Sequence, residues 1–263
     1  MINDQNLYYT DSGGDGLPVL ACHATMLDSV TLEPLTAKIA AAGYRVIAFD
    51  QRHHGQTISN GEPFTYSDLG DDLLGLADHL GIDKFALLGE GTGGIIGLLA
   101  AVSAPERFCA VILIGVSTHA PAHGEADAIK AVVRAWCRGG PHSEIYRRVA
   151  ERATATPEDA ADLVARWQAT AWDEFGPFGE ATASRTGFTE QLGVITCPAL
   201  VINASEDIHC PVIVGRDVAE HLGGTTKFVP IKHKRHCLTF AFRPEVSDET
   251  VAWLASCSVP NAA

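Results

Sequence analysis

Residues 87–97 read Leu-Leu-Gly-Glu-Gly-Thr-Gly-Gly-Ile-Ile-Gly. Apolar residues 85–89 suit a buried strand, and the apolar run 94–104 suits a helix, so 89–94 must turn one into the other. Small residues at Gly89 and Gly93 flank position 91, which falls at the tightest point. Such a turn strains the backbone and projects its central residue over the sheet edge. The helix behind it aims free N–H groups at the same spot. Gly89-x-Gly91-x-x-Gly94 also matches a loose dinucleotide loop. That loop belongs in the first βα turn with an acidic residue ~20 positions on, whereas this turn lies mid-sheet.

The flanking segments repeat the alternation. Residues 17–22, 45–50, 109–114, 198–203 and 226–231 are short apolar runs that read as buried strands. Residues 32–42, 66–80, 212–222 and 244–256 read as helices, with Gly43 and Gly81 stopping the first two and Pro244 opening the last. Apolar strands alternating with helices predict an α/β fold, a mostly parallel doubly wound sheet. The rhythm breaks between 119 and 193, where 126–136 and 143–170 look helical and an aromatic Gly/Pro loop follows at 172–180. The expected organisation is therefore a core of 1–118 and 194–263 with a helical cap inserted at 119–193.

Composition narrows the function. The 263 residues are 46% hydrophobic and 19% charged, enough to bury a sizeable core. With 19 Lys+Arg against 32 Asp+Glu, the net charge is −13. That balance argues against nucleic acid or an anionic membrane surface as partner, and for a small molecule of little charge. Seven cysteines (22, 109, 137, 197, 210, 237, 257) form no CxxC pair and no zinc spacing, as in a reduced chain. The first residues lack a signal-peptide pattern, and no run reaches the ~18 apolar residues of a membrane span. The expected location is the cytoplasm. Nothing in the sequence suggests a metal or an organic cofactor, and the oligomeric state is left open.

Five motifs, in order, resemble the α/β-hydrolase fold superfamily over nearly the full chain. Gly89-Glu90-Gly91-Thr92-Gly93 aligns with its Gly-x-nucleophile-x-Gly elbow. Cys22-His23-Ala24-Thr25 stands where the family has His-Gly-x, and Asp50-Gln51-Arg52-His53-His54-Gly55-Gln56-Thr57 resembles its Asp-x-Arg-Gly-His-Gly-x-Ser loop. Residues 201–207 (VINASED) resemble the acid-bearing loop, and Arg235-His236 the Gly-His before the last helix. The resemblance implies a catalytic set of position 91, Asp207 and His236, with Asp207 orienting the imidazole. It also implies an oxyanion hole from the backbone N–H groups of Thr25 and Thr92. Glu206 remains the alternative acid. Ala24, His53 and Arg235 each replace a family glycine, and position 91 itself holds glycine, which carries no nucleophile. The family branches that use an elbow aspartate are correspondingly disfavoured.

Substrate contacts are expected from His23 and Ala24 in the loop after the first long strand, and from Trp136, Trp172, Phe175 and Phe178 in the insertion. Trp136 shares a helical face with Ile129 and Val133 and equally suits packing, just as His23 suits loop support. The basic run Lys232-His233-Lys234-Arg235 reads as a solvated loop or as a contact for an anionic substrate group. Three functions stay open: a hydrolase of a small, mostly apolar ester or lactone with its nucleophile position emptied; a nucleophile-independent lyase, isomerase or cofactor-free oxygenase using His236 and Asp207 as general base; and a non-catalytic binding protein of this fold.

Overall fold

A computed structural model describes residues 1–122, 124–137, 143–154, 156–170, 172, 174–239 and 244–257. The chain order is β1 (Tyr9–Asp11), β2 (Pro18–Cys22), α1 (Glu33–Ala41), β3 (Arg45–Phe49), α2 (Tyr66–His79), β4 (Phe85–Glu90), α3 (Thr92–Ser103) and β5 (Phe108–Ile114). It continues α4 (Glu125–Cys137), α5 (Ser143–Ala153), α6 (Pro157–Ala169), α7 (Gly176–Ser184), β6 (Ala199–Ala204), α8 (Val212–His221), β7 (Thr226–Ile231) and α9 (Pro244–Ser256). Among the described residues the sheet has seven strands in the order β1-β3-β2-β4-β5-β6-β7. β1 pairs antiparallel with β3 and every other pairing is parallel. No helix among them is long and apolar enough to cross a membrane.

The continuous apolar strands are explained by two cores, one on each face of the sheet. Leu20, Cys22, Ile47, Phe49, Leu87 and Leu113 pack into one with residues of α2 and α3. Their alternating neighbours Val19, Ala21, Val46, Ala48, Leu88 and Ile112 pack into the other with residues of α1 and α9. Side chains of successive strand residues point to opposite faces, so a strand covered on both faces is apolar throughout. Helix α2 starts where Thr65 and Asp68 form a reciprocal capping box, and Gly81 follows its end at φ 67°.

Position 53, where the family pattern has glycine, keeps the glycine conformation. His53 lies at φ 61°, and its ring stacks on Phe64 at 5.6 Å. The loop around it hangs on Asp50, whose carboxylate accepts the Ser29 and Gln56 N–H groups at 2.7 and 2.8 Å.

Between β5 and β6 the chain forms α4 to α7. Positions 123, 138–142, 155, 171 and 173 of the expected insertion, and 240–243 and 258–263 of the expected core, lie outside the described residues. The stretch 143–170, expected to be helical, is divided into two helices, because Thr156 caps a new start and Pro157 is tolerated only in a first turn. One expectation for this region needs correction. The expected loop at 172–180 becomes α7 from Gly176, with Pro177 again in the first turn.

The turn from β4 to α3 packs backbone directly against backbone. A Cβ at Gly89 would lie 2.5 Å from Gly94 Cα, and one at Gly93 would run into the Cys22 carbonyl. Real Cβ atoms cannot occupy those positions without moving backbone. Gly93→Ala is therefore expected to cost about 1–3 kcal/mol, read as a lowered urea midpoint with an unchanged m-value. A midpoint equal to that of the unaltered chain would contradict this packing.

Candidate active site

The elbow places Gly91 at φ 52°, ψ −118°, immediately before the first residue of α3. This conformation is strained for any side-chain-bearing residue. A Cβ built there would be 3.2 Å from Ala24 Cβ and 3.6 Å from His236 Nε2. The structure thus brings together three sequence-predicted positions, Gly91, Ala24 and His236.

His236 Nδ1 lies 2.7 Å from Asp207 Oδ2. The carboxylate is almost fully buried, at 1% side-chain exposure, while a quarter of the His236 side chain remains accessible. Asp207 Oδ1 accepts the His209 N–H at 2.8 Å, which fixes the carboxylate's orientation. Glu206, the alternative acid, is exposed. Burial alone would push the His236 pKa down. The hydrogen bond and charge of Asp207, with Glu90 nearby, outweigh it and hold the imidazole above its ordinary 6.5. Burial likewise pushes Asp207 up, and the His236 contact with the His209 and Cys210 N–H groups outweighs it, so the carboxyl lies below 3.8.

Glu90, one residue before the elbow, is buried and accepts the Thr239 N–H at 3.0 Å as well as the Thr239 hydroxyl. It ties the elbow to the turn that follows His236. Burial raises its pKa.

Thr25 and Thr92 meet through their hydroxyls. Thr92 opens α3, so its N–H has no intrahelical acceptor and points with the helix dipole toward the ground above Gly91. The Tyr66 hydroxyl lies beside both threonine hydroxyls and 3.1 Å from Thr182 Oγ1 on α7. Next to it, the Arg185 guanidinium lies over the Tyr66 ring, 5.7 Å from its centroid.

The remaining predicted contacts divide. His23 is fully buried, with Nδ1 bonded to Ala24 O at 2.8 Å and Nε2 accepting the Gln51 N–H at 3.1 Å. No ring nitrogen is left for a substrate, so the expected substrate contact is corrected to loop support. Trp136 is also corrected. It is buried against Tyr146 at 4.0 Å, Trp167 at 5.3 Å and Trp172 at 5.8 Å, a cluster inside the helical insertion. Trp172 belongs to the same cluster and donates its Nε1–H to Trp167 O at 2.6 Å. Phe175 stacks on Phe178, and both meet the edge of His54. Phe178 also lies 6.1 Å from the Tyr66 ring. Cys22 is buried with its thiol pKa raised by burial, which removes it as a substitute nucleophile. Tyr66, Thr182, Arg185 and Glu90 were not singled out by the sequence. Thr182 lies on α7 and Arg185 directly follows its end, so no helical spacing links them in the sequence.

Comparison with known proteins agrees with the fold. The profile of the alpha/beta hydrolase fold matches residues 18–138. The chain is 32% identical over 191 residues to 3-oxoadipate enol-lactonase 2 of Acinetobacter baylyi, covering 70% of this chain and 69% of that protein. It is 29% identical over 214 residues to strigolactone esterase D14 of Arabidopsis thaliana, covering 73% and 76%. Among solved structures, a thermophilic esterase from Thermogutta terrifontis superposes with a TM-score of 0.88 at 23% identity, over 96% of this chain and 94% of that one. These relatives carry hydrolase, esterase and lactonase names.

The two shifted groups set a pH dependence. The raised His236 pKa adds stability that is complete below about 6.5, its unfolded value, and is lost as pH rises through the native value. The lowered Asp207 pKa adds stability present above about 3.9, lost as pH falls through its native value. Ring-proton NMR is expected to show His236 titrating above 6.5. In Asp207→Asn it should titrate well below its value in the unaltered chain, since burial then acts with less opposition. An unchanged midpoint would mean that the pair is not coupled.

Proposed function

The chain belongs to the α/β-hydrolase fold family, and on that premise we propose that its site acts on a small, mostly apolar carboxylic ester or lactone. The observation that carries the reading is the 3.6 Å between His236 Nε2 and the position of a Cβ on Gly91. A serine oxygen, one bond further out, would stand within hydrogen-bond reach of that nitrogen. His236 is the general base, Asp207 orients it and stabilises its cation, and the N–H groups of Thr25 and Thr92 receive the oxyanion. Helices α4 to α7 are the cap, and the substrate is bound between them and the C-terminal ends of the strands.

Gly91 changes the chemistry available. No acyl-enzyme forms through residue 91, so any hydrolysis must use water deprotonated by His236. Removing a triad nucleophile costs on the order of 10⁶ in turnover, about 8 kcal/mol of barrier. The residual catalysis of such a site, ~10³ over water, comes from the oxyanion hole and binding. The chain as it stands is a binder of its substrate and a slow hydrolase.

A second reading rests on the raised basicity of His236 facing a position without a side chain. The pair then abstracts a proton from carbon and the Thr25 and Thr92 N–H groups hold the enolate.

Assaying a panel of esters and lactones separates them. Gly91→Ser is expected to gain at least about a thousandfold, with an acyl adduct on Ser visible by mass spectrometry, and to lose both when His236→Ala is added. Serine at this φ and 3.2 Å from Ala24 Cβ should also lower stability by about 1–3 kcal/mol. If the folded variant gains no hydrolysis of any panel member, the hydrolase reading is wrong and proton abstraction becomes the test to run.

A further inference from the structure

The Arg185 guanidinium is left unsatisfied in a way the hydrolase reading does not use. Its Nε and Nη1 atoms are buried and meet no acceptor among the described residues. A cation of this kind cannot shed its charge by deprotonation, so burying it without an acceptor is costly. The buried Arg52, by contrast, is paired with a carboxylate. Arg52 reaches Asp72 through Nε at 2.6 Å and Nη2 at 2.9 Å.

The neighbour that Arg185 does have is the Tyr66 ring, 5.7 Å from the guanidinium carbon to the centroid. A ring face attracts the cation, but the N–H donors of a guanidinium lie in its own plane. Stacking therefore leaves them open. Glu125 is the acidic group whose charge is felt at Arg185, and it makes no hydrogen bond to the buried Nε or Nη1; its Oε2 accepts the Ala122 N–H at 2.7 Å.

Position turns this anomaly into a site. The Tyr66 hydroxyl bonds Thr182 and lies beside the hydroxyls of Thr25 and Thr92. Hydroxyls from β2's following loop, the start of α3, α2 and α7 thus run from the elbow toward Arg185. Arg185 follows α7 directly and is part-exposed. A chain carrying −13 overall has little reason to keep an unmatched buried cation beside its candidate site.

We propose that Arg185, with the Tyr66 and Thr182 hydroxyls, is a subsite for a carboxylate on the substrate, so that the substrate is the half-ester or lactone of a dicarboxylic acid. The reacting carbonyl lies over Gly91 and the second, free carboxylate at Arg185. The proposal rests on the ester and lactone reading for the reacting group alone, while the anion subsite stands on its own. It is compatible with the expected ligand of little charge and assigns the anion contact to Arg185 rather than to the 232–235 run.

The test uses the unaltered chain, whose Gly91 prevents an acyl-enzyme, and isothermal titration at about 0.15 M salt. The probes are monomethyl succinate, glutarate and adipate against their dimethyl diesters. One half-ester is expected to bind at least tenfold tighter than its diester. Arg185→Gln should abolish that preference while leaving diester binding within about twofold, and Lys232→Ala, Lys234→Ala should keep it. Equal binding of every half-ester and diester would overturn the subsite, as would a preference that survives Arg185→Gln. Should Arg185→Gln not fold, phenylglyoxal labelling of the unaltered chain decides. The half-ester must protect Arg185 and the diester must not, and equal labelling overturns the proposal. A failure of Gly91→Ser to hydrolyse esters would sink the hydrolase reading and leave these binding results intact.

Discussion

The contact on which the site depends is backbone against backbone, where α3 leaves β4. Gly93 lies against the Cys22 carbonyl at the end of β2, and Gly89 lies against Gly94. Without side chains at these points, β4 can reverse into a helix within a single residue, Gly91. That reversal sets the start of α3, and with it the free Thr92 N–H, directly over the sheet edge. The same approach brings the loop after β2 beside the helix, so that Thr25 meets Thr92. A turn even slightly wider would separate the two groups offered for an oxyanion.

Around that contact several polar groups are matched in pairs, and the pairs link distant parts of the chain. Glu90 holds the segment after His236 through Thr239, so the elbow and the imidazole are positioned by one carboxylate. Asp207 holds His236 from the loop after β6. Trp167 donates to Met26 O at 2.6 Å and thereby ties the helices between β5 and β6 to the loop bearing Thr25. Buried polar groups are costly unless partnered, which gives such links their rigidity. Arg185 departs from this rule, and that departure is what makes it informative.

Position 91 is a local conflict of the opposite sort. Its φ and ψ suit glycine, so the chain is spared the strain that a serine would store there. The fold therefore does not depend on a nucleophile, and neither do the His236–Asp207 pair or the threonine contact. Structure and catalytic power are separable at this one position.

The sequence by itself determined six of the seven strands, the elbow and the His236–Asp207 pair. Strand and helix periods are local, and the elbow glycines announce close backbone approach wherever they fall in order. His236 and Asp207 were legible because the family motifs fix their order and flanks. The tertiary structure alone decided the rest. His23 and Trp136 have the composition of pocket residues, yet packing consumes them, one in loop hydrogen bonds and one in the aromatic cluster of α4 to α6. Tyr66 and Thr182 stand 116 positions apart, and neither flank marks them. Arg185 follows a helix hidden by its glycine and proline start. Which polar side chain finds a partner is settled by what arrives from elsewhere in the chain, and no local pattern carries that information.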